Sequence, residues 1–191
     1  MRALEEKIVK EGLVLEGNVL KVGSFLNQKV DTALAIDMAK EVARLYEGVP
    51  INKVVTIEAS GIAFGFAVAS ALGVPLVFVK KSHASNISGN VLTARIHSYT
   101  HSTDYTATVS ADYITKDDCV LIVDDFLANG EALRGLIEIV EKAGAELAGC
   151  AVQIEKGFQG GGDELRARGI RVESLAIIEK MSVVEGITFR E

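Results

Sequence analysis

Apolar and polar positions follow two periods along this chain, and the two take turns in a regular order. Four short runs are apolar almost throughout: Val54-Val55-Thr56-Ile57, Pro75-Leu76-Val77-Phe78-Val79, Val120-Leu121-Ile122-Val123, and Leu147 through Ile154. Each has the length of a strand and is bounded by polar or glycine residues, as strands buried on both faces are. Helical spacing fills the gaps. Leu34, Met38, Val42 and Leu45 follow an Asp31 cap and run to about Tyr46; Ile62 to Leu72 stops at Gly73; Leu133 to Lys142, with Leu136, Ile137 and Val140 inward, stops at Gly144. Strands alternating with helices predict an α/β fold, a single domain over 1–191 with a mostly parallel central sheet of about five strands and helices on both faces.

The remaining stretches are less regular. Residues 2–11 form an amphipathic helix with Leu4, Ile8 and Val9 on one side, ending at Gly12. Leu13-Val14-Leu15 and Val19-Leu20-Lys21-Val22 flank Glu16-Gly17-Asn18, a hairpin signal, and Gly23 to Gln28 reads as a loop. Ser82 to Thr108 is rich in Ser, Thr and Asn and alternates only from Tyr105 onward, which predicts a flexible hairpin over 82–108. Glycines at 160 to 162, beyond the Leu147–Ile154 run, allow close backbone approach. After Asp163 come a short helix and one or two edge strands, Arg171-Val172 and Leu175 to Ile178.

Composition narrows the function. At 191 residues and 49% hydrophobic, the chain can bury a core without staples. A net charge of −6 opposes a broad nucleic-acid face, so an anionic ligand must be held by local dipoles and a few lysines. Cys119 and Cys150 sit in apolar runs and read as buried thiols. The charged N-terminus and the lack of a membrane-length apolar run predict no membrane contact and a cytosolic location.

The chemistry gathers at Asp124-Asp125-Phe126-Leu127-Ala128-Asn129-Gly130-Glu131-Ala132, between a buried strand and a helix. Open α/β sheets bind ligands just beyond the carboxyl ends of their strands. Main-chain N–H groups from Ala128 to Ala132, with the first helical turn, make an anion seat, and Gly130 removes a Cβ from it. Two adjacent carboxylates cannot share a phosphate, so Asp124 and Asp125 must meet hydroxyls or a metal ion. A phosphate beside a vicinal diol describes a ribose 5-phosphate. A second strand-loop-helix unit, Glu58-Ala59-Ser60-Gly61, offers a second anion seat, although its glycine also fits a plain close packing of helix on strand. Lys81, at the end of the Pro75–Val79 strand, is a better anion contact than any histidine; His97 and His101 have zinc spacing but lie in loop composition without a partner glutamate. The acidic pair also resembles the first strand of a receiver domain, but too little chain follows Asp125 to complete one.

The strand, acidic pair and small-residue loop resemble the phosphoribosyl diphosphate motif of the type I phosphoribosyltransferases, over almost the whole chain. Adenine-specific relatives carry Ala-Thr-Gly-Gly-Thr in that loop; the Asn-Gly-Glu form here resembles the xanthine branch. The resemblance implies the fold of that family, with residues 1–35 contributing a hood and 82–108 a lid. It implies Asp124 and Asp125 as catalytic residues, and phosphoribosyl diphosphate held by Ala128, Asn129, Gly130, Glu131, Ala132, Ser60 and Lys81. Ser60 stands where relatives often have arginine. Xanthine binding is implied for Leu20, Asn27, Phe126 and Lys156; a lysine only donates, which suits a carbonyl at purine C6. Mg²⁺ is expected with pyrophosphate, although no side-chain constellation demands a metal, and a homodimer is expected from the family. Guanine or hypoxanthine as the purine, and a regulator sensing phosphoribosyl diphosphate, remain the alternatives.

Overall fold

The computed structural model describes residues 1–81, 89–98 and 103–190. The chain opens with α1 (Arg2–Glu11), the hairpin β1 (Leu13–Leu15) and β2 (Val19–Lys21), and α2 (Thr32–Leu45). Gly17 and Asn18 turn the hairpin with φ of 75° and 62°, left-handed values that glycine and asparagine tolerate best. The expected loop at 23–28 is instead a π-helical turn over Gly23–Asn27 that buries Phe25 and Leu26. Asp31 caps α2 by accepting the Leu34 amide at 3.2 Å, and Lys7 Nζ reaches the same carboxylate at 3.0 Å, which ties α1 to the start of α2.

Then follow β3 (Lys53–Ile57), α3 (Gly61–Leu72), β4 (Leu76–Val79), the hairpin β5 (Val91–Ser98) and β6 (Thr103–Ser110), β7 (Cys119–Leu127) and α4 (Glu131–Lys142). The chain closes with β8 (Glu146–Lys156), α5 (Gly161–Ala167), β9 (Val172–Ser182) and β10 (Gly186–Phe189). The central sheet has the order β10-β9-β8-β7-β3-β4, with only β10 antiparallel to its neighbour. From β3 the chain steps outward to β4, then returns to the other side of β3 as β7 and continues outward through β8 and β9. The strand order therefore reverses between β3 and β7, and an open α/β sheet forms its ligand crevice at such a switch point.

Both faces of the sheet are covered. Val54, Leu121 and Val123 pack under α1, α2 and α3, while Val55, Val120 and Ile122 pack under α4 and the β5–β6 hairpin. Ala94, Ile96, Ala107 and Val109 of that hairpin are buried, and Ile96 lies where a Cβ on Gly135 of α4 would stand. The described part of the 82–108 segment is thus docked on the core; residues 82–88 and 99–102, with His83 and His101, lie outside the described residues.

The C-terminal part departs from expectation. The two edge fragments fall together at β9, which lies inside the sheet between β8 and β10, and β10 forms the edge of the six-stranded, mostly parallel sheet. Glu173, Ser174, Glu179 and Lys180 interrupt its apolar pattern because none of them is fully buried. Among the described residues no helix is long and apolar enough to cross a membrane.

Candidate active site

The carboxyl ends of β3 and β7 lie side by side at the switch point. A Cβ on Gly61 would collide with Thr56 Oγ1 and come 3.1 Å from Asp124 Oδ1, so the first turn of α3 sits directly against that carboxyl. The close-packing role of Gly61 is therefore real, and it is also what brings the Ser60 loop to the acidic pair. Glu58 accepts the Lys81 amide at 2.8 Å, which fastens this loop to the end of β4.

Asp124 and Asp125 have different neighbours. Each accepts the amide that follows it, Asp124 from Asp125 at 2.9 Å and Asp125 from Phe126 at 3.0 Å. Asp125 Oδ2 also meets Asn27 Nδ2 of the π-helical turn at 3.4 Å, so one predicted base contact touches the acidic pair. Asp124 is 4% exposed; burial, and after it the Asp125 charge, push its carboxyl well above the usual range, while the Asp125 amide and then Lys81 offset part of the rise.

Past the pair, Gly130 adopts φ 86°, a left-handed value suited to glycine, and opens α4. Residues 126–133 line a cavity of about 150 Å³ together with Ile96, His97 and Tyr105 of the hairpin. Amides at a helix N-terminus carry partial positive charge and seat an anion without a cationic side chain. Glu131, the carboxylate in the loop, is turned to Arg134 at 2.6 Å, a pairing that counters its charge at the seat. The i,i+3 spacing of Glu131 and Arg134 is a signal for this pair in the sequence.

Lys156 and Phe126 also meet. The Lys156 ammonium lies 5.7 Å from the centre of the Phe126 ring and donates to the Asn18 carbonyl of the β1–β2 turn at 2.7 Å. Burial lowers its pKa. Lys81 Nζ stands 5.4 Å from the centre of the Tyr105 ring, and Tyr105 lines the loop cavity; its hydroxyl is pushed up to about 12 by burial and then by the Asp124 charge. Leu20 is 7% exposed and packs beside Gly12. Sequence reasoning does not single out Tyr105, Asn18 or Arg134. Nothing in the periodicity distinguishes Tyr105 from a strand residue, and Asn18 acts through its carbonyl, which every residue has.

His97 Nδ1 lies 2.6 Å from Asp104 Oδ1 across the hairpin. Among the described residues no group of three or more His, Cys, Asp or Glu side chains is placed to hold a metal ion by itself.

A family model described as the phosphoribosyl transferase domain matches residues 22–180. The xanthine phosphoribosyltransferase of Lachnoclostridium phytofermentans is 48% identical over 191 residues, covering 100% of this chain and 98% of that protein. The protein of the same name from Brevibacillus brevis is 50% identical over 191 residues, covering 100% of this chain and 97% of its own. Among solved structures, APRTase from Giardia lamblia complexed with 9-deazaadenine superposes with a TM-score of 0.73 at 30% identity, covering 85% of this chain and 87% of that one. An acidic pair and a small-residue loop at the switch point of the sheet, and likeness of this extent, lead to one conclusion: the chain belongs to the phosphoribosyltransferase family.

Proposed function

We propose that the chain transfers the 5-phosphoribosyl group of phosphoribosyl diphosphate to xanthine, giving xanthosine 5′-monophosphate and pyrophosphate. The observation that carries this reading is that the buried acidic pair of β7 leads directly into the 128–132 loop, which lines a cavity of about 150 Å³ at the start of α4. Ala128 to Ala132 would hold the 5-phosphate through main-chain N–H groups, with Asn129 and Glu131 contributing backbone rather than charge. Asp124 and Asp125 would bind the ribose hydroxyls, and their charge would favour the oxocarbenium character that the anomeric carbon gains as pyrophosphate departs. Ser60 with the α3 amides, and Lys81 steadied on Tyr105, would take the pyrophosphate.

Phe126 and Lys156 would form the purine side of the site, with Asn27 at its hood edge and Leu20 supporting it from the core. Lys156 donates and cannot accept, which favours a 6-oxopurine over adenine. Mg²⁺ is expected on the pyrophosphate. Magnesium commonly takes one or two carboxylates together with substrate phosphate oxygens, and the strand-end carboxylates fit that donor set. Bound there, the ion would neutralise charge on the leaving group.

We also infer a homodimer. The helix α3 is apolar on nearly every side, a pattern of helices buried all round. In the single chain Phe66 is 68% exposed and Ile36 of α2 51% exposed, beside a groove of about 990 Å³ between the two helices. Sedimentation equilibrium checks this: a mass of twice the chain is expected, and a monomer at micromolar concentration would end the idea.

Pyrophosphate release tests the activity. With phosphoribosyl diphosphate and each purine in turn, xanthine is expected to be used best, guanine and hypoxanthine less well, and adenine not at all. Faster release with guanine or hypoxanthine would move the assignment to that substrate, and no release with any purine would overturn it.

A further inference from the structure

We propose that Gly161 is a positioning residue for the phosphate loop, and that α5 and Arg134 together brace that loop from behind. The inference rests on the reading that residues 128–132 hold a phosphate. A seat made of main-chain amides has no side chain that can adjust to the ligand, so its affinity depends on how the backbone is held. Two sets of contacts hold it on the side away from the cavity. Arg134 Nη2 donates to the Asn129 carbonyl and to Glu131 Oε1, both at 2.6 Å, and Arg134 Nη1 donates to Glu164 of α5 at 3.2 Å.

The second set is closer. The Gly161 amide donates to the Ala128 carbonyl at 3.2 Å. A Cβ at 161 would run into Ala128 O and stand 2.5 Å from Asn129 C and 2.6 Å from Gly130 N. These three are backbone atoms, which cannot swing aside as a side chain does. Gly161 does not line the cavity, so its contact with the loop is made from outside the ligand's space.

The brace is itself anchored. Arg166 of α5 binds Glu155, which is fully buried at the end of β8, through two bonds of 2.9 and 2.7 Å. A Cβ on Gly162 would collide with the same Glu155 carboxylate, so glycine there lets α5 lie close without displacing the Glu155–Arg166 pair. Lys156 follows Glu155 directly, so one short segment carries a predicted base contact and the prop of the phosphate loop.

Ribose 5-phosphate binding, measured by titration calorimetry on wild type, Gly161→Ala, Gly160→Ala and Arg134→Ala, tests the brace. Gly160 has φ 78°, and no atom lies within 4 Å of where its Cβ would stand, so alanine there strains the backbone without touching the loop. Gly160→Ala is expected to melt earlier yet bind ribose 5-phosphate like wild type. Gly161→Ala is expected to bind on the order of ten- to a hundredfold more weakly, the scale of loss when a binding group moves by about an ångström. In turnover, its KM for phosphoribosyl diphosphate rises while that for xanthine changes little. Arg134→Ala, which introduces no clash, is expected to weaken binding in the same direction and carries the test if Gly161→Ala does not fold. Wild-type affinity in Gly161→Ala, an equal loss in Gly160→Ala, or no loss in Arg134→Ala overturns the brace. A wild-type chain that binds no ribose 5-phosphate overturns the functional reading beneath it.

Discussion

Asp124 and Asp125 are neighbours on one strand and both are buried, yet it is the Asp124 carboxyl that has the first turn of α3 against it. Its folded-state pKa lies well above the ordinary 3.8, first because of burial and then because of Asp125. The native chain therefore keeps this proton to higher pH than the unfolded chain. The associated stability is fully present below the unfolded value and is lost as pH rises through the folded one. Asp163 has the opposite sign: Arg190 lowers its pKa, so its contribution is present at neutral pH and is lost on acidification. Asp124→Asn removes the loss on the alkaline side. Its melting temperature is expected to exceed that of wild type at about pH 8, with the gap closing toward about pH 4; equal melting temperatures throughout would contradict the account of Asp124. At this scale the sequence is most legible where function uses a side chain in a special place. The acidic pair follows directly on the apolar run of β7, inside a strand that continues to Leu127, and Lys156 ends β8; those positions single them out. Gly161 reads as allowing close backbone approach, but what it approaches, the 128–132 loop, lies a helix and a strand earlier in the chain and leaves no local mark.

Elements are legible in proportion to how much of each is buried. The apolar core of β7 and the strongly one-sided α4 are read without difficulty because one is enclosed on both faces and the other on a single stripe. Asp31 and Gly73 mark the start of α2 and the end of α3 as helix caps do. The strand β9 reads as two pieces because several of its residues are half open to solvent, and β10 leaves no signal because four residues, two of them exposed, give too short a pattern. The hairpin strand β5 mixes Arg95 and His97 with buried Ala94 and Ile96, so its polar face outweighs its buried one in the sequence. What docks it is Gly135, an absent side chain in the middle of α4, and a glycine inside a helix reads locally as a defect rather than as a socket.

For the whole molecule, the decisive feature is the reversal of strand order between β3 and β7, which depends on pairings that no short stretch records. It brings the Ser60 loop, the acidic pair and the 128–132 loop to one place, while the N-terminal hairpin reaches the same place through Asn18 and the turn after it through Asn27. The central claim is that the loop amides hold the phosphate while the carboxylates hold the sugar. A crystal soaked in ribose 5-phosphate tests it most directly. The account predicts phosphate density within hydrogen-bonding distance of the amides of residues 128–132, with the ribose hydroxyls on Asp124 and Asp125. A bound sugar phosphate elsewhere, or one in the loop with its hydroxyls turned away from both carboxylates, would contradict it.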